Sequence, residues 1–294
     1  MLEIKRRKFH SSYAPSLHVT VGVDSILLLI LKRYKVKKGV HSILEEDMNV
    51  YFAVVVFFVG EFLIEKGIVK ILYRRVNFFR KEGFWRRGFA GQFVMALFSL
   101  SIMSLLGFGN EFGLTLQNSD ESLWILLSFG LPFAVFYSFG AYLFIKKSKA
   151  VLSMNWMKNP SDRYGMLIYC FTMNGVGEEL FFRGLLQGLL STELISFITL
   201  GSFNLMYSTI VISILFVLIH LEDVTTKDET IGEFFLHLPY RTILAFALSI
   251  TFQLTGSLLA PIIMHNISNG FLTIAAWQAT KRNLNRKQVD QISP

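Results

Sequence analysis

Four long stretches of this 294-residue chain lack formal charges, and they constrain its fold more than any other feature. They are residues 88–108, 123–145, 195–219 and, apart from His265, 242–280. A helix needs about 20 apolar residues to cross a bilayer, and each stretch reaches that length. Strands of a membrane barrel would alternate apolar and polar residues, and these stretches do not alternate. The sequence therefore predicts an all-α, polytopic membrane bundle.

The apolar stretches divide into six predicted membrane spans. We place them near residues 88–108, 123–145, 164–190, 195–220, 239–257 and 260–280. One or two further helices in the N-terminal part would give about 6–8 transmembrane helices in all. Residues 50–64 are the better candidate there, although Glu61 interrupts them. Residues 19–31 are flanked by basic residues on both sides, which favours an interfacial helix.

The net charge of +8 is distributed in a way that is typical of membrane proteins. Basic residues cluster in 66–87, 146–163 and 281–287, whereas the gap 110–122 contains no Lys or Arg. This alternation follows the positive-inside rule and predicts that the basic segments and the C-terminus are cytoplasmic, in an integral protein of the cell membrane. A nucleic-acid partner would require a continuous basic face and a recognisable module, and the sequence has neither.

Three ionisable residues lie within six positions of the third predicted span. They are Glu178, Glu179 and Arg183. An ionisable group inside a bilayer is costly, which makes each a candidate for function. Glu179 and Arg183 are four residues apart on one helix face, where they can pair. Glu178 points about 100° away from Glu179 around the helix axis and has no partner within its own helix. It is therefore suited to act as a general base. A structural Glu–Arg pair with a solvated second Glu is the alternative.

Two other polar sites interrupt apolar helices. His220 ends the stretch 195–219, and Phe216 shares its helix face and could line a pocket for the imidazole. His265 and Asn269 are one helical turn apart, and both can donate hydrogen bonds toward a developing negative charge. Taken singly, these residues fit interfacial anchoring or hydrogen bonding between helices better than catalysis.

Taken together, the three polar sites form an ordered set of motifs. The motifs are Glu178-Glu179…Arg183, Phe216…His220 and His265…Asn269. This set resembles the CAAX prenyl endopeptidase and bacteriocin-processing family of intramembrane glutamate proteases. The resemblance covers residues 160–280, which is under half of the chain.

The resemblance implies a metal-independent endopeptidase without a cofactor. The implied site residues are Glu178, Glu179, Arg183, His220, His265 and Asn269. By this analogy Glu178 and His220 would activate the attacking water, while His265 and Asn269 would stabilise the oxyanion. The Glu–Arg pair would position the helices. The implied substrate is a membrane-associated or lipidated peptide or protein, and the sequence does not specify which.

The chain is divided into three parts on this interpretation. Residues 1–87 form an N-terminal cytoplasmic or interfacial region, with a transmembrane helix near 50–64 as an option. Residues 88–280 form the membrane protease domain, whose motif core is 160–280. Residues 281–294 form a basic cytoplasmic tail.

Other functions fit parts of the pattern. Glu178, His220 and His265 would supply a His₂Glu zinc set, although the sequence has no His-Glu-x-x-His helix. A non-proteolytic scaffold, an immunity protein or a proton-coupled transporter could use the same buried polar groups. A serine protease of the α/β-hydrolase type is excluded, since no Gly-x-Ser-x-Gly motif exists.

Straight helices would not bring the candidate residues together. Ideal vertical spans place Glu178 near mid-membrane, His220 near the cytoplasmic edge and His265 nearer the outer side. A single site therefore requires helices that break or tilt. The two glycines before Glu178, together with Gly256 and Pro261, are candidates for such breaks.

Overall fold

The computed structural model describes most of the chain from residue 51 onward. The described residues are 51–57, 59–60, 67–76, 84–107, 110–114, 119–148, 160–225 and 231–292. All of them belong to one compact unit, residues 44–294. They are almost entirely helical, so the predicted all-α membrane bundle is confirmed.

From residue 69 onward, the described part of the chain contains eleven α-helices and one β-hairpin. They are α1 Val69–Arg75, α2 Phe84–Leu105, α3 Ser119–Ile125, α4 Leu131–Ser148, α5 Pro160–Thr172, α6 Val176–Glu179, α7 Gly188–Glu193, β1 Phe197–Leu200, β2 Phe203–Met206, α8 Tyr207–Ile219, α9 Leu221–Thr225, α10 Ile231–Thr255 and α11 Leu259–Ile292. A 3-10 turn lies at Asn110–Phe112. π-Helical turns at Leu126–Gly130 and Leu180–Gln187 join α3 to α4 and α6 to α7.

Three predicted spans are confirmed as continuous helices. Among the described residues, Trp85–Leu105, Leu123–Lys147 and Leu259–Asn285 are long and apolar enough to cross a membrane. The predicted span 239–257 corresponds to the second part of α10, which begins earlier, carries Pro239 inside it and ends at Thr255. The charged stretch before it therefore forms α9 and the first turns of α10, apart from positions outside the described residues.

The predicted span 164–190 is wrong as a single helix. α5 ends at Thr172, and residues 173–175 form a turn before α6 begins. The amides of Met173 and Asn174 both donate to the Tyr169 carbonyl, which closes the end of α5. The break places the Glu-Glu motif at the start of a new helix rather than in the middle of one.

The predicted span 195–220 is also wrong. Its first half forms the antiparallel β1–β2 hairpin, with Phe197 opposite Met206 and a turn at Gly201, whose φ is +63°. Gln253 of α10 stabilises the hairpin, because it accepts from the Met206 amide and donates to the Asn204 carbonyl. Only the 13 residues of α8 remain helical, about 20 Å of helix against a hydrocarbon core of about 30 Å.

Of the other predicted breaks, Gly256 is confirmed and Pro261 is not. Gly256 has a φ of +59° and its amide donates to the Phe252 carbonyl, which ends α10 in a tight turn. Pro261 lies in the first turn of α11, where a missing backbone N–H costs nothing and the helix continues.

The two ends of the chain are described in part. Residues 51–57 and 59–60 of the candidate span 50–64 are helical, and the rest of it lies outside the described residues. Phe57 packs against Phe181 and Phe182, with ring centroids 6.4 and 6.3 Å apart. At the other end, α11 continues to Ile292, so the basic tail begins as an extension of the last span.

Described residues in or next to the three basic segments contact one another in pairs. The indole Nε1 of Trp85 donates to Asp162 at 3.3 Å, which joins the segments 66–87 and 146–163. The Arg163 guanidinium lies 5.7 Å from the ring centre of Trp277, just before the third segment. The sidedness of these segments stays a prediction.

Candidate active site

Glu179 and Arg183 form the ion pair that their spacing predicted. Both side chains are fully buried, and Arg183 Nη1 donates to Glu179 Oε1 at 3.2 Å. Nη2 donates to the Ala245 carbonyl of α10 at 3.1 Å, and the guanidinium lies 4.3 Å from the ring centre of Phe216. Gln187, one turn further along, donates to the Ser249 carbonyl of the same helix. This polar row fixes the π-helical segment against α10.

His265 connects the two glutamates. Its imidazole is buried, and Nδ1 donates to Glu179 Oε1 over 2.7 Å. Its other nitrogen, Nε2, lies 3.8 Å from Glu178 Oε2. A carboxylate on Nδ1 orients the ring and directs Nε2 toward the second carboxylate, as the orienting acid does in a catalytic triad. The structure therefore brings Glu178, Glu179, Arg183 and His265 into one chain of contacts.

Glu178 has a partner that the sequence interpretation missed. Gln92 of α2 donates from Nε2 to Glu178 Oε1 at 2.6 Å, and the Glu178 amide donates to Gln92 Oε1 at 3.0 Å. The Glu178 side chain is 23% exposed, whereas that of Glu179 is 0% exposed, so only the first can reach a substrate. Gln92 is the one amide in the stretch 88–108, and a search restricted to ionisable residues overlooks it.

A second missed residue, Asn266, stabilises the helix break beside the site. The first amides of a helix have no partner within it, and lipid offers them none. No side chain of the helix itself caps α6. Instead, the Gly175 amide donates to Asn266 Oδ1 at 2.7 Å, and Asn266 Nδ2 donates to the Thr172 carbonyl at 3.1 Å. Asn266 thus joins the two sides of the break to α11.

The two glycines before Glu178 allow neighbouring helices to approach the motif closely. A Cβ atom on Gly175 would lie 2.7 Å from Cγ of His265. A Cβ atom on Gly177 would collide with the backbone oxygen of Gln92. Contact between the Glu-Glu motif and its partners on α2 and α11 therefore requires glycine at these positions.

His220 reaches the site through Phe216. His220 caps α8 and its Nδ1 lies 2.8 Å from the Phe216 carbonyl. The Phe216 ring contacts both imidazoles, with centroids 5.2 Å from His220 and 5.9 Å from His265. Phe216 therefore packs against the His220 imidazole, as their spacing on one helix face predicted.

Asn269 is placed one turn after His265 on α11 and is half-buried. Within the described part of the chain, its side chain makes no hydrogen bond. Its amide can therefore donate to a bound group without first breaking a protein contact.

The zinc alternative rests on Glu178, His220 and His265. Among the described residues, no three His, Cys, Asp or Glu side chains form a group that could hold a metal ion. His265 Nε2 lies 3.8 Å from Glu178 Oε2, while the His220 imidazole contacts the Phe216 ring.

Comparison with known proteins agrees with the motifs. Residues 160–271 match the family model described as type II CAAX prenyl endopeptidase Rce1-like. The match includes all three motifs, so this segment is a domain of the CAAX protease family, within an integral membrane protein. No curated protein and no solved structure matches the chain. Gln92 lies outside the matched residues.

Proposed function

We propose that this protein is an intramembrane endopeptidase that hydrolyses a peptide bond near the carboxyl terminus of a lipidated, CAAX-type protein. The observation that carries the proposal is the buried chain of contacts from Glu178 through His265 and Glu179 to Arg183. It lies within the segment that matches the CAAX protease family. An acid, an oriented imidazole and a fixed counter-ion are the parts that a protein-only hydrolysis needs.

In the proposed reaction, Glu178 and His220 activate a water molecule. Glu178 Oε2 takes a proton from the water while its oxygen bonds to the scissile carbonyl carbon. The carbonyl oxygen becomes an oxyanion that accepts hydrogen bonds from Asn269 and from His265 Nε2–H in its imidazolium form. The C–N bond then breaks, and the proton passes from Glu178 to the leaving amine. The products are a new carboxylate and a released peptide.

The first experiment measures cleavage by the purified protein in detergent. The probe is a farnesylated peptide that ends in a Cys-aliphatic-aliphatic-X sequence, with its unprenylated form alongside, and mass spectrometry identifies the products. We expect the wild type to release the terminal tripeptide and Glu178→Gln to lose about 10²–10⁴-fold in rate while folding normally. Ser99→Ala is the control, because in the described part of the chain Ser99 hydrogen-bonds only to the Met95 carbonyl of α2.

Outcomes of this assay separate the alternatives. Cleavage that survives in Glu178→Gln would show that Glu178 is not the general base. No cleavage of either peptide by a folded wild type would contradict the proposal and favour a scaffold, immunity or transport function. Proton flux in vesicles that Glu178→Gln abolishes would then identify transport.

Asn269 provides a second test of the mechanism. Its side chain is free to donate to charge that appears only in the transition state. We expect Asn269→Ala to lower kcat about 10²–10³-fold with KM nearly unchanged. A rise in KM at constant kcat would instead make Asn269 a substrate-binding residue.

The proposed chemistry is carried by protein groups alone, and metal analysis tests this. We expect the purified protein to contain no stoichiometric zinc and to keep its activity after strong chelation. One tightly held zinc per chain, with activity restored by added metal, would transfer Glu178, His220 and His265 to metal ligation.

The proposed site works from the cytoplasmic side of a cell membrane. The basic segments, of which Trp85 and Asp162 contact each other and Arg163 contacts Trp277, would face the cytoplasm. Cysteines introduced at Arg86, Lys147 and Lys281 should resist an impermeant thiol reagent in intact cells and react after lysis. Cys170 is the only native cysteine and is buried, so it adds little background. Labelling of any of the three from outside would refute this orientation.

A further inference from the structure

Gln92 makes two hydrogen bonds with Glu178, one to its backbone amide and one to its carboxylate. The bond to the backbone amide fixes the orientation of the Gln92 side-chain amide. The backbone N–H of Glu178 can only donate, and the atom it meets at 3.0 Å must be the Gln92 carbonyl oxygen. The amide nitrogen of Gln92 is therefore the atom that lies 2.6 Å from Glu178 Oε1. An inverted amide would set two donors against each other at one end and two acceptors at the other.

This orientation determines the role of each carboxylate oxygen. The Gln92 amide nitrogen can only donate, so Glu178 Oε1 must accept and cannot hold a proton along that direction. The other oxygen, Oε2, points toward His265 Nε2, 3.8 Å away. A proton that arrives at Glu178 is thereby directed to Oε2, on the side of the imidazole.

The same contact holds the backbone that carries Glu178. Its amide is the third of the short helix α6, near the break at residues 173–175, and it takes its partner from α2. Gln92 is 7% exposed, so water competes little for either contact. The base is thus held by main chain and side chain together.

We propose that Gln92 is a positioning residue of the protease site, which orients the Glu178 carboxylate so that Oε2 is the proton-accepting oxygen. The proposal rests on the function proposed above and extends the site to α2, outside the segment that matches the family. It does not make Gln92 a catalytic residue, since Gln92 acts only through Glu178. Outer residues that orient a reacting group in this way typically contribute about 10–100-fold.

The test compares two substitutions of Gln92 that differ in hydrogen bonding. Gln92→Met keeps the length of the side chain but offers neither contact. Gln92→Glu offers both only when the introduced carboxyl is protonated, because its hydroxyl can then replace the amide donor. Among the described residues, the titratable and charged groups around this position are Glu178 and His265, with Glu179 and Arg183 behind them. Ser99→Ala on α2 is again the control.

We expect Gln92→Met to lower kcat about 10–100-fold across the pH range with KM nearly unchanged. Gln92→Glu should regain activity as the pH falls, so that its pH optimum lies on the acid side of the wild-type optimum. A purely structural role would lower the amount of folded enzyme and leave the shape of the pH profile unchanged. Wild-type kcat in Gln92→Met, or an unshifted profile in Gln92→Glu, would overturn the proposal.

A readout that needs no turnover separates this proposal from the proposed function. Isotope-edited infrared spectra of protein with labelled glutamate, minus those of Glu178→Gln, isolate the Glu178 carboxyl band. We expect this band to shift in Gln92→Met and to stay in place in Ser99→Ala. An inactive wild type with this shift would contradict the protease function and leave the positioning intact, whereas an unshifted band would refute the positioning itself.

Discussion

Two predicted membrane spans that are neighbours in the chain fold in different ways. Leu123–Lys147 is a continuous helix, and only 17% of its most apolar part is buried. Phe136 on this helix is 79% exposed. The segment 160–193 is interrupted by the turn at residues 173–175, and every residue from 179 to 190 is buried. Most of the first segment is exposed, where lipid would surround it, while residues 179–190 of the second face other helices.

The difference shows what each environment demands of a chain. Lipid satisfies no backbone group, so an outward segment must remain helical throughout, as Leu123–Lys147 does across its π-helical turn at Leu126–Gly130. An inward segment can break, because neighbouring helices supply partners such as Asn266 to Gly175 and Gln92 to Glu178. Ionisable residues are tolerated there for the same reason, since Glu179 finds both Arg183 and His265.

The largest effect on stability is expected from breaking the inward ion pair. Arg183→Ala would leave the Glu179 carboxylate with His265 as its one remaining ionic partner in the described structure, at a cost of about 3–5 kcal/mol in free energy of unfolding. A thiol-reactive dye can follow thermal unfolding, because Cys170 is the only cysteine and is buried. The exposed Arg282, which donates to the Tyr142 hydroxyl at 3.4 Å, gives the control variant Arg282→Ala. Equal melting temperatures for the two variants would show that the buried Arg183 contributes no more to stability than the exposed Arg282.

A smaller effect on stability is expected from replacing glycines by alanine. An added Cβ atom meets close neighbours at Gly177 in one segment and none within 4 Å at Gly140 in the other. Gly177→Ala would force the Glu-Glu motif away from α2, since the new Cβ meets the Gln92 backbone. Overpacking of this kind costs about 1–3 kcal/mol, and cleavage should fall with it because Glu178 moves. Gly140 in α4 has no atom within 4 Å of an added Cβ, so Gly140→Ala should be neutral or stabilising by up to about 1 kcal/mol. Melting curves and cleavage rates of the pair check this, and a stable, active Gly177→Ala would argue against close packing at the motif.

The smallest effect is expected on the outward helix itself. Phe136→Leu replaces one exposed apolar side chain by another, so the melting temperature and the cleavage rate should stay near wild type, within about 0.5 kcal/mol. The buried Phe182 is the matched position, since its ring packs edge-on against Phe216 at 5.1 Å, and Phe182→Leu should be clearly less stable. Similar losses at both positions would mean that residue 136 has a protein partner.

The sequence predicted the site only as far as local chemistry reaches. The pairing of Glu179 with Arg183 and the contact of Phe216 with His220 follow from helical spacing, and both are present. The link from His265 to both glutamates depends on where α11 packs, and spacing along one helix does not determine this. Gln92 was missed because an uncharged amide in an apolar span has no local sign of its partner 86 residues away.

The sequence by itself determined that this protein lies in a membrane and that it is helical. It also determined the continuous spans and the order of the polar motifs. Each of these depends on the composition of one segment, because a bilayer requires a long apolar helix whatever else the chain does. Only the tertiary structure decided where the inner segments break, that residues 197–206 form a hairpin, and which atoms meet around Glu178. Those outcomes depend on hydrogen bonds between helices that are distant in the chain, as between Gln253 and the hairpin. The energy of such contacts exists only after the helices have packed.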